Sequence, residues 1–202
     1  MRRVSIALLI SVFAMYGSAA HAVDFPNGLY WGGSGGSTDH SNGCDALSVP
    51  ASFGSATRCS DSDFGWQIFL GYQVMKWLSL EGGYAGLGGT NVMAINASSR
   101  SDVDGFTLNA VVTAPLLEKF GIYGTVGAFF WDIDLTTGGA VNQDPVDTSD
   151  TGTDAFYGVG LRFPLTETIG MSLEAKRFID VGSNEVGTTD VNLLSAGLLF
   201  RF

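Results

Sequence analysis

The chain has 202 residues, 28 of them Gly, with 46% apolar and 12% aromatic residues but only 15% charged ones, a length that allows one domain. Twenty acidic residues against ten basic ones give a net charge of −10 and a pI near 4.3, which excludes nucleic acid as a partner because phosphate contacts need clustered Lys and Arg. Mean hydropathy is +0.23, yet beyond the N-terminal segment no apolar run approaches the roughly 18–20 positions of a membrane-spanning helix.

The first element is a targeting segment. Arg2 and Arg3 precede an apolar run from Val4 to Met15, and small residues end in Ala20-His21-Ala22, the order of a secretory signal peptide. An N-terminal anchor helix is the alternative. Residues 1–22 are therefore expected to be removed, leaving residues 23–202 as the exported domain. Cys44 and Cys59 are the two cysteines and share one Ser/Gly/Asp-rich stretch, and an exported pair of this kind reads as a disulfide. Closing a ring of about 16 residues constrains the unfolded chain by roughly 3 kcal/mol. A metal centre needs more ligands than these two thiols and nearby His40 supply.

After this segment, stretches of about ten residues recur in which every second residue is apolar, a period of two that marks half-buried strands. Eight strands are predicted, over 28–37, 64–74, 78–88, 104–114, 120–133, 154–163, 168–178 and 190–202. Their connections alternate: long and polar over 38–63, 89–103, 134–153 and 179–189, short over 75–77, 115–119 and 164–167. Pro115 and Pro164 open two short links, where a missing N–H ends ladder pairing.

One face of each strand is apolar and the other mixed. In the last strand Leu194, Ala196, Leu198, Phe200 and Phe202 alternate with Leu193, Ser195, Gly197, Leu199 and Arg201. Glu81, Arg162, Glu174, Lys176 and Arg201 all fall on the mixed face, interspersed with glycines such as Gly83, Gly158, Gly160 and Gly197. Eight apolar strips turned to water would form a patch far beyond what a soluble monomer tolerates, so their solvent is lipid. In hydrocarbon every backbone polar group must be paired, which closes the sheet into a barrel. The expected fold is all-β: a closed eight-stranded antiparallel up-and-down transmembrane barrel, its charges paired in a filled lumen. Tyr30, Trp66, Tyr72, Trp77, Tyr84, Trp131, Tyr157, Phe163, Phe200 and Phe202 lie mostly toward segment ends, as interfacial girdles require.

Several motifs together resemble the OmpA-like outer-membrane β-barrel family. They are Gly28-Leu29-Tyr30-Trp31-Gly32, Trp66-Gln67-Ile68-Phe69-Leu70-Gly71-Tyr72, Leu80-Glu81-Gly82-Gly83-Tyr84, Tyr123-Gly124-Thr125-Val126-Gly127, Tyr157-Gly158-Val159-Gly160-Leu161 and Leu198-Leu199-Phe200-Arg201-Phe202. The resemblance covers the barrel only, so the peptidoglycan grip of the family's second, periplasmic domain is not carried over. It implies a Gram-negative outer-membrane location, termini and short turns in the periplasm, and four long loops outside the cell. It also implies that the terminal Phe202 is the aromatic signal read by the outer-membrane assembly machinery. Thr125 departs from the pattern, standing at a lumen-facing place that often holds a basic residue in relatives. Any lumenal ion pair must then join Glu81 and Glu174 to Lys176, Arg162 or Arg201, and such buried pairs plug and register a barrel more readily than they conduct.

Catalytic chemistry has little to work with. His40, with Asp39, Ser41 and Asp45 around it, would be the base of a lipid A-modifying enzyme, but neighbours on one strand rarely meet as a triad. Phosphate loops, metal-ligand spacings and nucleophile elbows are missing from the sequence, and no catalytic residue, metal or cofactor is expected. Asp134, Asp144, Asp147, Asp150 and Asp154 read as a solvated acidic surface. The expectation is a monomeric structural or surface-interaction protein in contact with outer-membrane lipids and lipopolysaccharide. The alternatives are a narrow pore for small solutes or ions and the lipid A-modifying enzyme.

Overall fold

The computed structural model describes residues 28–41, 58–60, 62–94, 97–117, 120–138, 146–183 and 187–202. The signal segment and Cys44 lie outside them, as does the side chain of Cys59, so the disulfide expectation falls there too. Eight long strands form the wall: β1 (Leu29–Ser41), β2 (Ser62–Met75), β3 (Leu78–Ala94), β4 (Ala97–Leu117), β5 (Phe120–Gly138), β6 (Val146–Pro164), β7 (Ile169–Ser183) and β8 (Gly187–Arg201). A short stretch, Arg58–Ser60, pairs with the far end of β3. Each strand is antiparallel to its chain neighbours. β1 closes the ring on β8, from Tyr30 opposite Arg201 to Ser41 opposite Asp190.

The apolar face looks outward. Leu194 is 67% exposed and Leu198 43%, whereas Glu81 and Glu174 are 5% and 7% exposed. A wall that turns leucine outward and glutamate inward suits lipid outside and a polar, filled interior. Aromatic pairs mark two levels on the outer surface. Near the short turns Trp31 stacks on Phe200 at 4.7 Å and Phe120 meets Phe163 at 5.2 Å. Toward the other end Tyr84 lies between Trp66 and Phe106, at 6.1 and 4.9 Å. Along β5 the belts are ten residues apart, from Phe120 to Phe130. At about 3.3 Å per residue and a tilt near 40° that climbs about 25 Å, the height of an outer-membrane apolar band.

Two expectations about these elements need correction. Tyr30 and Trp131 are not in the girdles; both point inward and are 5% and 4% exposed, because their parity in β1 and β5 is that of the lumen. The polar stretches 89–103 and 134–153 are not simply loops either, since much of each continues as paired strand. β3 pairs with β4 up to Ala94 opposite Ala97, and β5 with β6 up to Thr137 opposite Val146. Polar residues predominate there and the apolar ones, such as Val92 and Met93, stand side by side rather than alternating, so a period of two does not mark these strands. The ladder between β6 and β7 ends earlier, at Phe156 opposite Phe178. Just above it β7 is broken by an irregularity between Phe178 and Val181, with Asp180 at φ 53° and Gly182 at φ 118°.

Val126 lies 60% exposed on β5, between the Phe120 and Phe130 belts. Val126→Arg is expected to lower stability by about 2–4 kcal/mol, the cost of a cation at the bilayer midplane, as measured by denaturant unfolding in lipid vesicles. Val126→Leu keeps the position apolar and should leave stability nearly unchanged, so equal losses for the two variants would contradict the outward assignment.

Candidate functional site: the filled lumen

Eight strands leave an interior just wide enough for side chains to fill, and they fill it in two layers. In the half nearer the short turns lies a polar network. Glu81 on β3 is its hub: its Oε1 accepts from the Tyr30 hydroxyl at 2.6 Å and Arg162 Nη2 at 2.8 Å, and its Oε2 from Asn109 Nδ2 at 3.1 Å. Asn109 also donates to Thr125 Oγ1 at 3.0 Å. The Arg162 guanidinium is flanked by the Tyr123 ring at 4.4 Å and the Tyr30 ring at 5.6 Å, so π faces supply part of its solvation. Its Nε is buried with no hydrogen-bond partner among the described residues.

The second group joins β7 to β2. Lys176 Nζ lies 3.2 Å from Glu174 Oε2 and donates to Gln67 Oε1 at 2.8 Å, while Gln67 Nε2 donates to Glu174 Oε2 at 3.2 Å. The triangle is closed because an amide offers both a donor and an acceptor. Glycines make room for these long side chains: a Cβ on Gly158 would stand 2.8 Å from Lys176 Cγ, and one on Gly71 would clash with the Tyr30 ring.

The other layer is apolar. Phe129, Phe156 and Phe178 are fully buried, with ring centroids of both Phe129 and Phe156 5.0 Å from Phe178. Ala85, Leu87, Val103, Trp131, Ile133, Val181, Val191 and Leu193 belong to the same cluster. Leu87 enters it through the bulge between Gly86 and Gly88, the latter at φ +67°, a conformation open to Gly at little cost. The two layers meet where Lys176 Nζ approaches the Phe156 ring at 5.5 Å.

Of the five lumenal charges expected from sequence, Glu81, Arg162, Glu174 and Lys176 come together inside. Arg201 stands lower, half-buried opposite Tyr30, outside the two ion pairs. Phe202 is 80% exposed, its backbone N 3.4 Å from Leu29 O. His40 is not a loop residue: it occupies the penultimate position of β1, 2% exposed, with Nε2 3.3 Å from Leu87 O. β1 runs past the bilayer, and the alternation that buries Thr38 buries His40 as well. Sequence reasoning missed Tyr30, Gln67 and Asn109, the neutral members of the network. Asn109 carried a signal, since it stands directly opposite Glu81; Tyr30 reaches Glu81 only across Gly71, and Gln67 faces Ser34 and Ala85, so both needed the folded register to be seen.

A model of the OmpA-like transmembrane domain matches residues 25–202. The chain belongs to that family. It is 27% identical to outer membrane protein A of Salmonella typhi and 28% identical to that of Shigella flexneri, in each case over 208 residues. Those alignments take in all of this chain and 56% of the relative, so the chain spans just over half the length of these relatives. The fold is that of Neisserial surface protein A (TM-score 0.60, 14% identity, 86% of this chain and 97% of the other). It also matches Ail, the attachment invasion locus protein of Yersinia pestis (TM-score 0.51, 14% identity, 87% and 99%). This member of the family is thus an outer-membrane β-barrel with a packed interior.

Glu81→Ala leaves the Arg162 charge buried and removes the acceptor of Tyr30 and Asn109, and is expected to cost about 3–5 kcal/mol. Glu174→Ala should cost clearly less, because Lys176 keeps Gln67 Oε1. Unfolding midpoints of the two variants in the same lipid test this, and equal losses would show that the hub role of Glu81 is wrong.

Proposed function

We propose that this outer-membrane barrel has a structural or surface-interaction role, holding polar hairpins outside the cell without turnover and without conducting ions. The observation that carries the reading is the stacked filling of the lumen: an ion-paired polar layer beneath a layer of three phenylalanines with aliphatic neighbours. A narrow pore needs a continuous water path, and a close-packed apolar layer supplies no hydrogen-bonding partner for water. The lipid A-modifying alternative needs an accessible base, whereas the His40 ring is enclosed. The aromatic belts would sit among outer-membrane lipids and lipopolysaccharide, Phe202 would be read by the assembly machinery, and the barrel would act as a monomer.

Planar-bilayer recordings of the purified barrel are expected to show no discrete conductance steps; reproducible unitary currents would overturn the non-conducting reading. Its orientation is checked in a Cys44→Ser/Cys59→Ser background. A cysteine introduced by Ser149→Cys, exposed on the β6 extension, should react with a membrane-impermeant maleimide on intact cells. One introduced by Glu167→Cys, in the exposed turn between β6 and β7, should react only after permeabilisation. The opposite pattern would contradict the proposed display of hairpins outside.

A further inference from the structure

The outer wall from β1 to β6 carries two adjoining depressions that the structural role leaves unused. The lower, of about 630 Å³, lies at bilayer depth between Trp31, Ile68 and Leu70, with Gly82 as its floor. The upper, of about 340 Å³, is walled by Phe130, Asp132, Thr151 and Thr153. Both share Tyr84 and Phe106 as their common border, a ring pair meeting edge to face at 4.9 Å. Each volume falls in the range of about 300–1,000 Å³ usual for small-molecule sites.

The chemistry changes across that border. Below it the lining is aliphatic and aromatic. Above it Asp132 faces outward, directly opposite Asp104 across the β4–β5 pair, and Asp104 Oδ2 accepts the Tyr84 hydroxyl. Neither carboxylate takes part in an ion pair among the described residues, although like charges placed directly opposite on paired strands repel. The Asp132 carboxylate lines the upper depression together with the Tyr84, Phe106 and Phe130 rings, and with Asp104 opposite it on the next strand it forms a setting that attracts an ammonium group, by charge and by the ring quadrupoles together. A phosphate or sulfate head would meet like charge there.

We infer that these paired depressions are a binding site for a cationic amphiphile, its ammonium head at Asp132 and the aromatic border and its aliphatic tail laid over Gly82 toward the bilayer. The charge of the upper depression and the depth and apolarity of the lower one select the two ends of such a molecule. Gly82 keeps the tail furrow open: a Cβ built there meets only Thr107 O at 4.0 Å, so a larger side chain fills the furrow without disturbing the wall.

The test uses dodecyltrimethylammonium as the probe and native mass spectrometry of the barrel released from dodecyl maltoside micelles. Wild type is expected to retain one alkylammonium at concentrations where dodecyl sulfate is not retained. Asp132→Asn and Gly82→Leu are each expected to reduce the retained fraction at least tenfold. Both variants should keep the heat-dependent electrophoretic shift of a folded barrel, which separates lost binding from lost folding. Equal retention of alkylammonium and alkyl sulfate, or retention unchanged by Asp132→Asn, overturns the site. Loss with Asp132→Asn but not with Gly82→Leu overturns the amphiphile and leaves a site for the ammonium head alone.

Discussion

Backbone hydrogen bonding in hydrocarbon is the constraint on which this molecule turns. Each peptide group at bilayer depth needs a partner from protein, because neither lipid nor water supplies one there. A sheet meets that demand only when its edges join, and here β1 meets β8 over the full stretch from Tyr30 to Ser41. Closure with eight strands then fixes the interior width, which leaves no room for bulk solvent around a charged side chain. The polar network follows from that narrowness: Glu81 and Arg162, and Glu174 and Lys176, sit inside only because each finds its counter-charge and further hydrogen bonds within reach. A buried ion pair of this sort adds little net stability over an apolar replacement, yet removing one member is costly.

The outward and inward faces of the wall are legible in the sequence because lipid rewards strict alternation. Leu194, Leu198 and Phe200 share a parity that nothing but apolar solvent would accept, and the charges share the other. The lumen is less legible, because its two layers obey opposite rules on the same parity. Along β5 the inward positions run Tyr123, Thr125, Phe129, Trp131 and Ile133, polar at one end and apolar at the other. A mixed face therefore does not mean a uniformly polar interior; the mixture is resolved by height. Trp131 and Tyr30 illustrate the same point from the other side, since an aromatic near a strand end suits a girdle only when its parity points outward. Counting parity from Thr125 along β5 turns Trp131 inward, whereas Tyr30 sits on a strand that carries no lumenal charge to count from. The strand extensions at 89–103 and 134–153 were hidden for another reason: their sequence carries no regular apolar alternation, and only the ladder pairing shows them as strand.

The division of the lumen also separates two tasks. Directional hydrogen bonds and ion pairs depend on register, and a slip of one residue between β3 and β4 or β6 and β7 would send Glu81 or Arg162 into lipid. Close packing of Phe129, Phe156 and Phe178 is less demanding of direction but excludes water over its whole cross-section. The polar layer thus specifies which strand alignment is native, and the apolar layer seals the end that opens toward the hairpins. Gly86 and Gly88 serve the seal by permitting the bulge that turns Leu87 inward.

The outer surface, often treated as a featureless hydrophobic band, carries information of its own. Lipid tolerates any apolar relief, so a depression floored by Gly82 costs little by itself. Carboxylates are different. Asp104 and Asp132 stand immediately above the Tyr84 and Phe106 rings, directly opposite each other across the β4–β5 pair. Both are acidic, with aromatic rings beside them and an apolar furrow below, so charge and apolar relief stand side by side on this stretch of the wall.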